Sequence, residues 1–172
     1  DAESLRSLAG RKMHSKKNHF NGFVKEYQDR FVYKAIEKSE FEECLRLSDK
    51  WAFSREKDRN LIGENLAIKK VLKNADKFSC LKIGGIYIDN DLEAFTFGDL
   101  INSQMAVIHI EKANPDIRGI YSAVNKLFLE NEFPDVEFVN REDDLGIEGL
   151  RKAKLSYKPL RLVEKYTLTE RQ

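Results

Sequence analysis

This sequence is poor in the residues that usually make a function legible. Among 172 residues there are two cysteines, three histidines and three prolines. Two cysteines cannot build a disulfide scaffold, and a reducing, cytoplasmic setting is the expectation. Cys44, Cys80, His14, His19 and His109 are too scattered for metal-ligand spacing, so no metal is expected. No Ser-His-Asp or Cys-His order is recognisable, which leaves covalent catalysis without support. No apolar run approaches the roughly 18–20 residues of a membrane helix, and the first residues carry no signal-peptide pattern. Net charge is also scarce: 30 Lys and Arg stand against 29 Asp and Glu, giving +1. That excludes a uniformly basic nucleic-acid coat and an acidic tail protein. Hydrophobic residues nevertheless make up 41% of the chain, enough for a core at a length typical of one domain. The chain opens at Asp1 and not at a methionine, which fits a piece of a longer protein.

The charges are segregated along the chain. Ser4 to Lys25 holds six cations and no acid, and Gly149 to Tyr166 holds six cations against one acid. Between them, Glu130 to Glu148 holds eight acids and one arginine. The two positive segments would suit phosphate-rich partners, either a tRNA acceptor end or an anionic phospholipid surface, the second implying a membrane-peripheral location. The alternative is a pair of solvated helix faces.

Apolar spacing predicts one long first helix with Leu5, Leu8, Ala9, Met13, Phe20, Phe23, Val24 and Tyr27 in a stripe. Phe31 to Ile36 is short and β-prone. Ser39 and Glu42 form a capping-box pattern before a helix carrying Phe41, Cys44, Leu45, Ser48 and Trp51. Another helix is predicted from Arg59 to Lys73, with Ile62, Leu66 and Val71 or Leu72 inward. Strands are predicted from Cys80 to Ile88 and from Leu92 to Phe97, joined at Asp89-Asn90-Asp91, and then from Gln104 to Glu111. Asn114-Pro115-Asp116 opens a long helix with Ile117, Ile120, Tyr121, Val124, Leu127 and Phe128 on one face. After Pro134-Asp135 come a strand from Val136 to Asn140, a helix from Gly146 to Leu155 and a last strand from Leu160 to Leu168.

Apart from its first helix, this order is similar to that of the GNAT superfamily of N-acyltransferases. The likeness implies an α/β (α+β) fold: a mixed, mostly antiparallel sheet with helices on both faces. Residues 1–30 then read as an N-terminal connecting helix and residues 31–172 as the GNAT-like domain. It further implies that the strands flanking the long helix are parallel neighbours that splay apart, with an acyl donor in the gap. Ligands gather where strand order switches, and a helix N-terminus offers free N–H groups to anions.

Four stretches are more specific: RKMHSKKNH from Arg11, HIEKA from His109, NREDDLG from Asn140 and LRKAKLSYKP from Leu150. Together they resemble the family described as phosphatidylglycerol lysyltransferase C-terminal domain-like, from about Leu5 to Thr167. Family members usually carry two GNAT-like halves, so the resemblance implies a preceding half outside this chain. Its named relatives move an amino acid from aminoacyl-tRNA to an acceptor. Near their C-terminus they carry a Lys-x-Lys-Phe-x-Pro pattern and then a tyrosine. Lys154, Tyr157 and Pro159 match that pattern, with Tyr166 downstream, while Ser156 stands where the second lysine would be.

Coenzyme-A-using members of the superfamily carry Arg/Gln-x-x-Gly-x-Gly/Ala at the start of the long helix. Here Arg118 and Gly119 survive, but Tyr121 is bulky where close approach needs a small residue. Coenzyme A is therefore disfavoured, and no cofactor is expected beyond aminoacyl-tRNA as co-substrate. Arg118 and Gly119 would line the donor entrance; alternatively Asp116 caps the helix and Arg118 is solvated. Asn140, Arg141, Glu142, Asp143 and Asp144 follow a short strand at its carboxyl end. Arg141 suits a carboxylate or phosphate, and a charged helix entrance is the alternative. His109 and Glu111 are expected to share one strand face as an acid–base pair, with Glu111 the stronger candidate because a strand histidine is more often structural. The expected catalytic set is Glu111, Glu142 and Lys154; the expected substrate-binding set is Arg118, Gly119, Asn140, Arg141 and Tyr157. Direct aminolysis, transferring an aminoacyl group to a lipid, amine or hydroxyl acceptor, would need positioning, a proton acceptor and an oxyanion donor. The competing readings are an acyl-coenzyme-A N-acetyltransferase and a non-catalytic half-domain that binds anionic partners.

Overall fold

The computed structural model describes residues 1–53 and 59–170. Its elements run α1 (Ala2–Ser7), α2 (His14–Tyr27), β1 (Phe31–Ala35), α3 (Phe41–Phe53), α4 (Arg59–Lys73), β2 (Lys82–Ile88), β3 (Asp91–Asn102), β4 (Met105–Ala113), α5 (Ile120–Glu132), β5 (Phe138–Asn140) and α6 (Glu148–Leu155). The five strands form one sheet in the order β1-β2-β3-β4-β5. All neighbours are antiparallel except β4 and β5, which are parallel. A short 3₁₀ turn, Arg11–Met13, precedes α2.

Helices cover both faces. On one face Phe23 of α2 and Ile120, Ala123 and Val124 of α5 pack against Ile86, Ile88 and Ala94 of the sheet. Leu5 and Met13 extend that side onto Phe128 and Leu129. On the other face Cys44 and Leu47 of α3 and Ile68 and Leu72 of α4 cover Ile83, Phe95 and Phe97. Each fully buried Phe, Leu or Ile contributes roughly 1.5–3 kcal/mol of transfer free energy, so the sheet is anchored from both sides.

Several expectations change in detail. The single first helix is two: Leu8 is left-handed at φ 49° and Gly10 at φ 81°, so the chain turns before α2. Ala9, placed in the apolar stripe, is exposed. The capping box lies two residues earlier than the Ser39–Glu42 pattern: the Glu37 N–H donates to Glu40 at 3.1 Å, and the turn starts as a 3₁₀ helix from Lys38. On α4, Leu66 is 54% exposed while Ile68 and Leu72 face inward. Two residues advance a helix by about 200°, so Leu66 and Ile68 cannot share a face. The predicted position of Ile62 lies outside the described side chains.

The hairpin between β2 and β3 forms as predicted. Asp89 and Asn90 both take positive φ, 52° and 72°, the backbone signature of a two-residue turn that matches strand twist. The helix expected to open at Asp116 instead begins at Ile120, with Gly119 as its left-handed N-cap at φ 86°. Asn114 holds the intervening turn by accepting the Asp116 N–H at 3.1 Å. The last strand does not form. Residues 156–170 carry no helix or strand, and Leu160, Leu162, Val163, Tyr166 and Leu168 are 64–95% exposed. Strand periodicity without a ladder partner leaves the backbone to water, and among the described residues β5 pairs with β4 alone. No helix among the described residues is long and apolar enough to cross a membrane.

Candidate functional site

The parallel pairing of β4 and β5 stops at Val107 and Asn140, while β4 continues to Ala113. The two strands therefore part, and the chain brings charged side chains into the fork. Glu111 rises from the free part of β4. Its Oε1 accepts from Asn125 Nδ2 of α5 at 2.6 Å, and its Oε2 accepts from Arg141 Nη2, just past β5. These two side chains are only 14% and 16% exposed. The Arg141 guanidinium lies 4.2 Å from the centre of the Tyr157 ring, and Lys16 Nζ of α2 lies 3.9 Å from the same centre. Lys154 Nζ donates to the main-chain carbonyls of Arg141 and Asp143, the latter at 2.6 Å, and so braces the loop that carries Arg141.

Burial removes water from these charges, and their neighbours decide which forms survive. Burial pushes the Lys16 and Lys154 amines below their usual range; the Arg141 charge adds to this and the Glu111 carboxylate opposes it. Burial raises the Tyr157 phenol, while Arg141 pulls it down. Burial is the largest influence on Arg141 and disfavours its charge, but Glu111 and Tyr157 together outweigh it and hold its pKa above the ordinary value.

His109 and Glu111 do not form a pair. A bulge between Phe97 and Gly98 of β3 skips His109 in the β3–β4 register, and alternation slips by one residue there. Ile108 and Ala113 consequently both pack on the α5 side. His109 Nδ1 hydrogen-bonds Glu142 Oε1 at 2.7 Å, and its Nε2 lies 3.5 Å from Asp99 Oδ2. This cluster sits at the more exposed rim, with Glu142 at 45% exposure.

The other expected residues are placed as follows. Asn140 Oδ1 accepts the Glu142 N–H at 2.8 Å and shapes the loop, with Glu142 in left-handed backbone at φ 54°. Gly119 is closed off by α2: a Cβ there would stand 2.2 Å from the His19 carbonyl oxygen. The close approach that Gly119 permits is helix packing, not a donor contact. Arg118 is exposed and makes no hydrogen bond or ion pair among the described residues. Glu111, Arg141, Lys154 and Tyr157 thus meet; Arg118 and Gly119 stand apart from them, and Glu142 is at the rim. Sequence reasoning missed Lys16 and Asn125. Asn125 carried a signal, a polar residue three before Phe128 on a buried helix face; Lys16 was one of six cations on its segment and carried none.

Comparison with known proteins bears on the family and the fold. The family described as phosphatidylglycerol lysyltransferase, C-terminal, matches residues 1–169. The chain belongs to this family. A conserved protein of unknown function from Bacteroides thetaiotaomicron is 36% identical, with a TM-score of 0.88 over 94% of this chain and 54% of that one. An uncharacterised protein of Mycoplasmoides gallisepticum is 23% identical over 166 residues, 96% of this chain and 53% of that protein. The chain therefore spans about half the length of these relatives. The C-terminal domain of a putative lysylphosphatidylglycerol synthetase from Agrobacterium fabrum shares the fold at a TM-score of 0.59 and 14% identity, over 92% of this chain and 55% of that one. A possible acetyltransferase from Clostridium difficile does so at 0.58 and 8%, over 84% and 98%. Family and fold together make this a GNAT-like domain of that C-terminal family.

Proposed function

We propose that this domain transfers an aminoacyl group from aminoacyl-tRNA to an amine or hydroxyl acceptor, a lipid acceptor included, beside a preceding GNAT-like half. The observation that carries the reading is the convergence of Glu111, Arg141, Lys154 and Tyr157 in the β4–β5 fork, from three separate stretches of chain. Both Glu111 oxygens are engaged, so its role is to hold Arg141 in place. The proton acceptor is the Glu142–His109 pair at the rim. Donation from Nδ1 to Glu142 leaves Nε2, which faces Asp99 at 3.5 Å, to take the proton of an attacking amine or hydroxyl. The packing of α2 over Gly119 supports a donor other than coenzyme A, because the close approach a pyrophosphate needs is taken by His19.

The test follows a labelled aminoacyl group from aminoacyl-tRNA onto phosphatidylglycerol or a soluble amine. His109→Ala and Glu142→Gln should each lower the rate at least about 100-fold, the usual share of acid–base catalysis. Transfer from acetyl-coenzyme A instead would overturn the reading. A second reading has one observation in its favour: burial of the Glu111–Arg141 pair suits a structural half-domain that binds anionic partners. Under that reading Glu111→Gln weakens the fold and both rim variants leave every transfer assay unchanged.

A further inference from the structure

The charges in the fork do not balance. Four cations, Lys16, Arg141, Lys154 and Lys165, face three carboxylates, Glu111, Glu142 and Asp143. Of the rim acids, Asp143 pairs with Lys165 at 2.5 Å, and Glu142 accepts from His109. Lys154 spends its donors on two carbonyls. Lys16 has a ring beneath it and no hydrogen bond or ion pair among the described residues. Arg141 Nε and Nη1 are buried without a partner. Unpaired buried donors are unfavourable, and an excess of half-buried positive charge is more so unless something negative answers it.

We propose that Lys16 and Arg141, which share the ring of Tyr157 in this structure, form a binding site for one phosphodiester group. Its two non-bridging oxygens supply one acceptor to each cation, and its single charge offsets the excess. The two Arg141 nitrogens are sealed in this structure, so occupancy moves the Tyr157 ring off the guanidinium. Tyr157 lies just past α6, and Lys158 after it turns left-handed at φ 52°. Lys16 belongs to the first basic segment of the chain and Tyr157 to the second. The site is thus where the two positive stretches meet, which draws in a phosphate-rich molecule over a longer range. The inference rests on the aminoacyl-transfer reading only for the source of the group, a ribonucleotide 3′ end or a glycerophospholipid headgroup.

The test is calorimetric titration of the chain with two soluble probes, cytidylyl-(3′→5′)-adenosine and glycerophosphoglycerol. Binding of either one, weakened at least about tenfold by Lys16→Ala and restored by Lys16→Arg, is the expected result, and the probe that binds names the source. Lys17→Ala alters an exposed neighbour on the same helix and should change the affinity less than about twofold. Binding of neither probe, or equal losses in the Lys16 and Lys17 variants, would overturn the proposal. Thermal unfolding of each variant separates lost binding from lost fold. No transfer is measured, so a dead transfer assay leaves this site standing, and an active enzyme that binds neither probe removes it.

Discussion

Glu111 and Lys112 are neighbours on β4, so their side chains leave the sheet on opposite faces. Each is a deeply buried member of an ion pair, and the two pairs are built differently. Lys112, with a side chain only 4% exposed, donates to Glu64 of α4 at 2.5 Å and lies 3.4 Å from the centre of the Trp51 ring. Its charge is answered on the spot by a carboxylate and an aromatic face. Glu111 is answered by Arg141 and then outnumbered, because Lys16 and Lys154 share the fork. A fold needs only the first kind of pair; the second is left for a ligand to complete.

The largest expected effect tests this contrast directly. Glu111→Gln strips a buried guanidinium of its counter-charge and should destabilise the domain by about 3 kcal/mol. Glu64→Gln should cost about 1 kcal/mol, since Glu64 is 34% exposed and Lys112 keeps the Trp51 ring. Equal costs in urea unfolding would erase the difference between the two faces.

Next in size is the helix seam beside the fork. Gly119→Ala meets both a positive φ and the His19 carbonyl, and should cost about 2–3 kcal/mol. Gly146→Ala has the positive φ but open space around it, and should cost about 1 kcal/mol. Similar melting temperatures for the two variants would mean that α2 is not seated on α5 in solution.

A smaller effect lies in pH. The Lys16 amine is lowered in the folded state by burial and by Arg141, so between its lowered pKa and 10.5 the unfolded chain binds more protons. The penalty is present at neutral pH and relieved as pH rises toward 10.5. Lys16→Met should therefore be more stable than the parent at pH 7, with the gap closing toward pH 10. A gap that widens with pH would show that Lys16 is already paired. The raised Tyr157 phenol works the other way only above about pH 10.

The smallest effect concerns the face that carries Lys112. Cys44 is fully buried there, its thiol pushed up to about 12 by burial, whereas Cys80 is exposed. A thiol reagent should label Cys80 first and Cys44 only on unfolding. Comparable rates would mean that the α3–α4 side opens as readily as the fork.

The parts of this molecule that can be read from residues are those whose causes are local. The Asp89-Asn90 turn, the amphipathic α5 and the strand of each side of the hairpin depend on neighbours within a few positions. The break at Leu8 was harder, because Gly10 interrupts a stripe that otherwise continues. The strand expected from Leu160 does not form for a different reason: alternation states a preference, and only a neighbouring edge with free hydrogen bonds turns it into a ladder. In the candidate site, Glu111, Arg141, Lys154 and Tyr157 were visible through their motifs, whereas Asn125 and Lys16 became visible only through contact.

Sequence alone determined the elements, their order and the two-sided apolar pattern, since these follow from periodicities of two and 3.6 residues and from turn chemistry. The tertiary structure decided which charges meet. Arg141 reaches Glu111 across thirty residues of chain, and Lys16 reaches Tyr157 from nearly the opposite end. The bulge at His109 separated two residues that plain alternation would have joined. Such encounters depend on where a strand pairing ends and how two helices cross, and no local spacing encodes either.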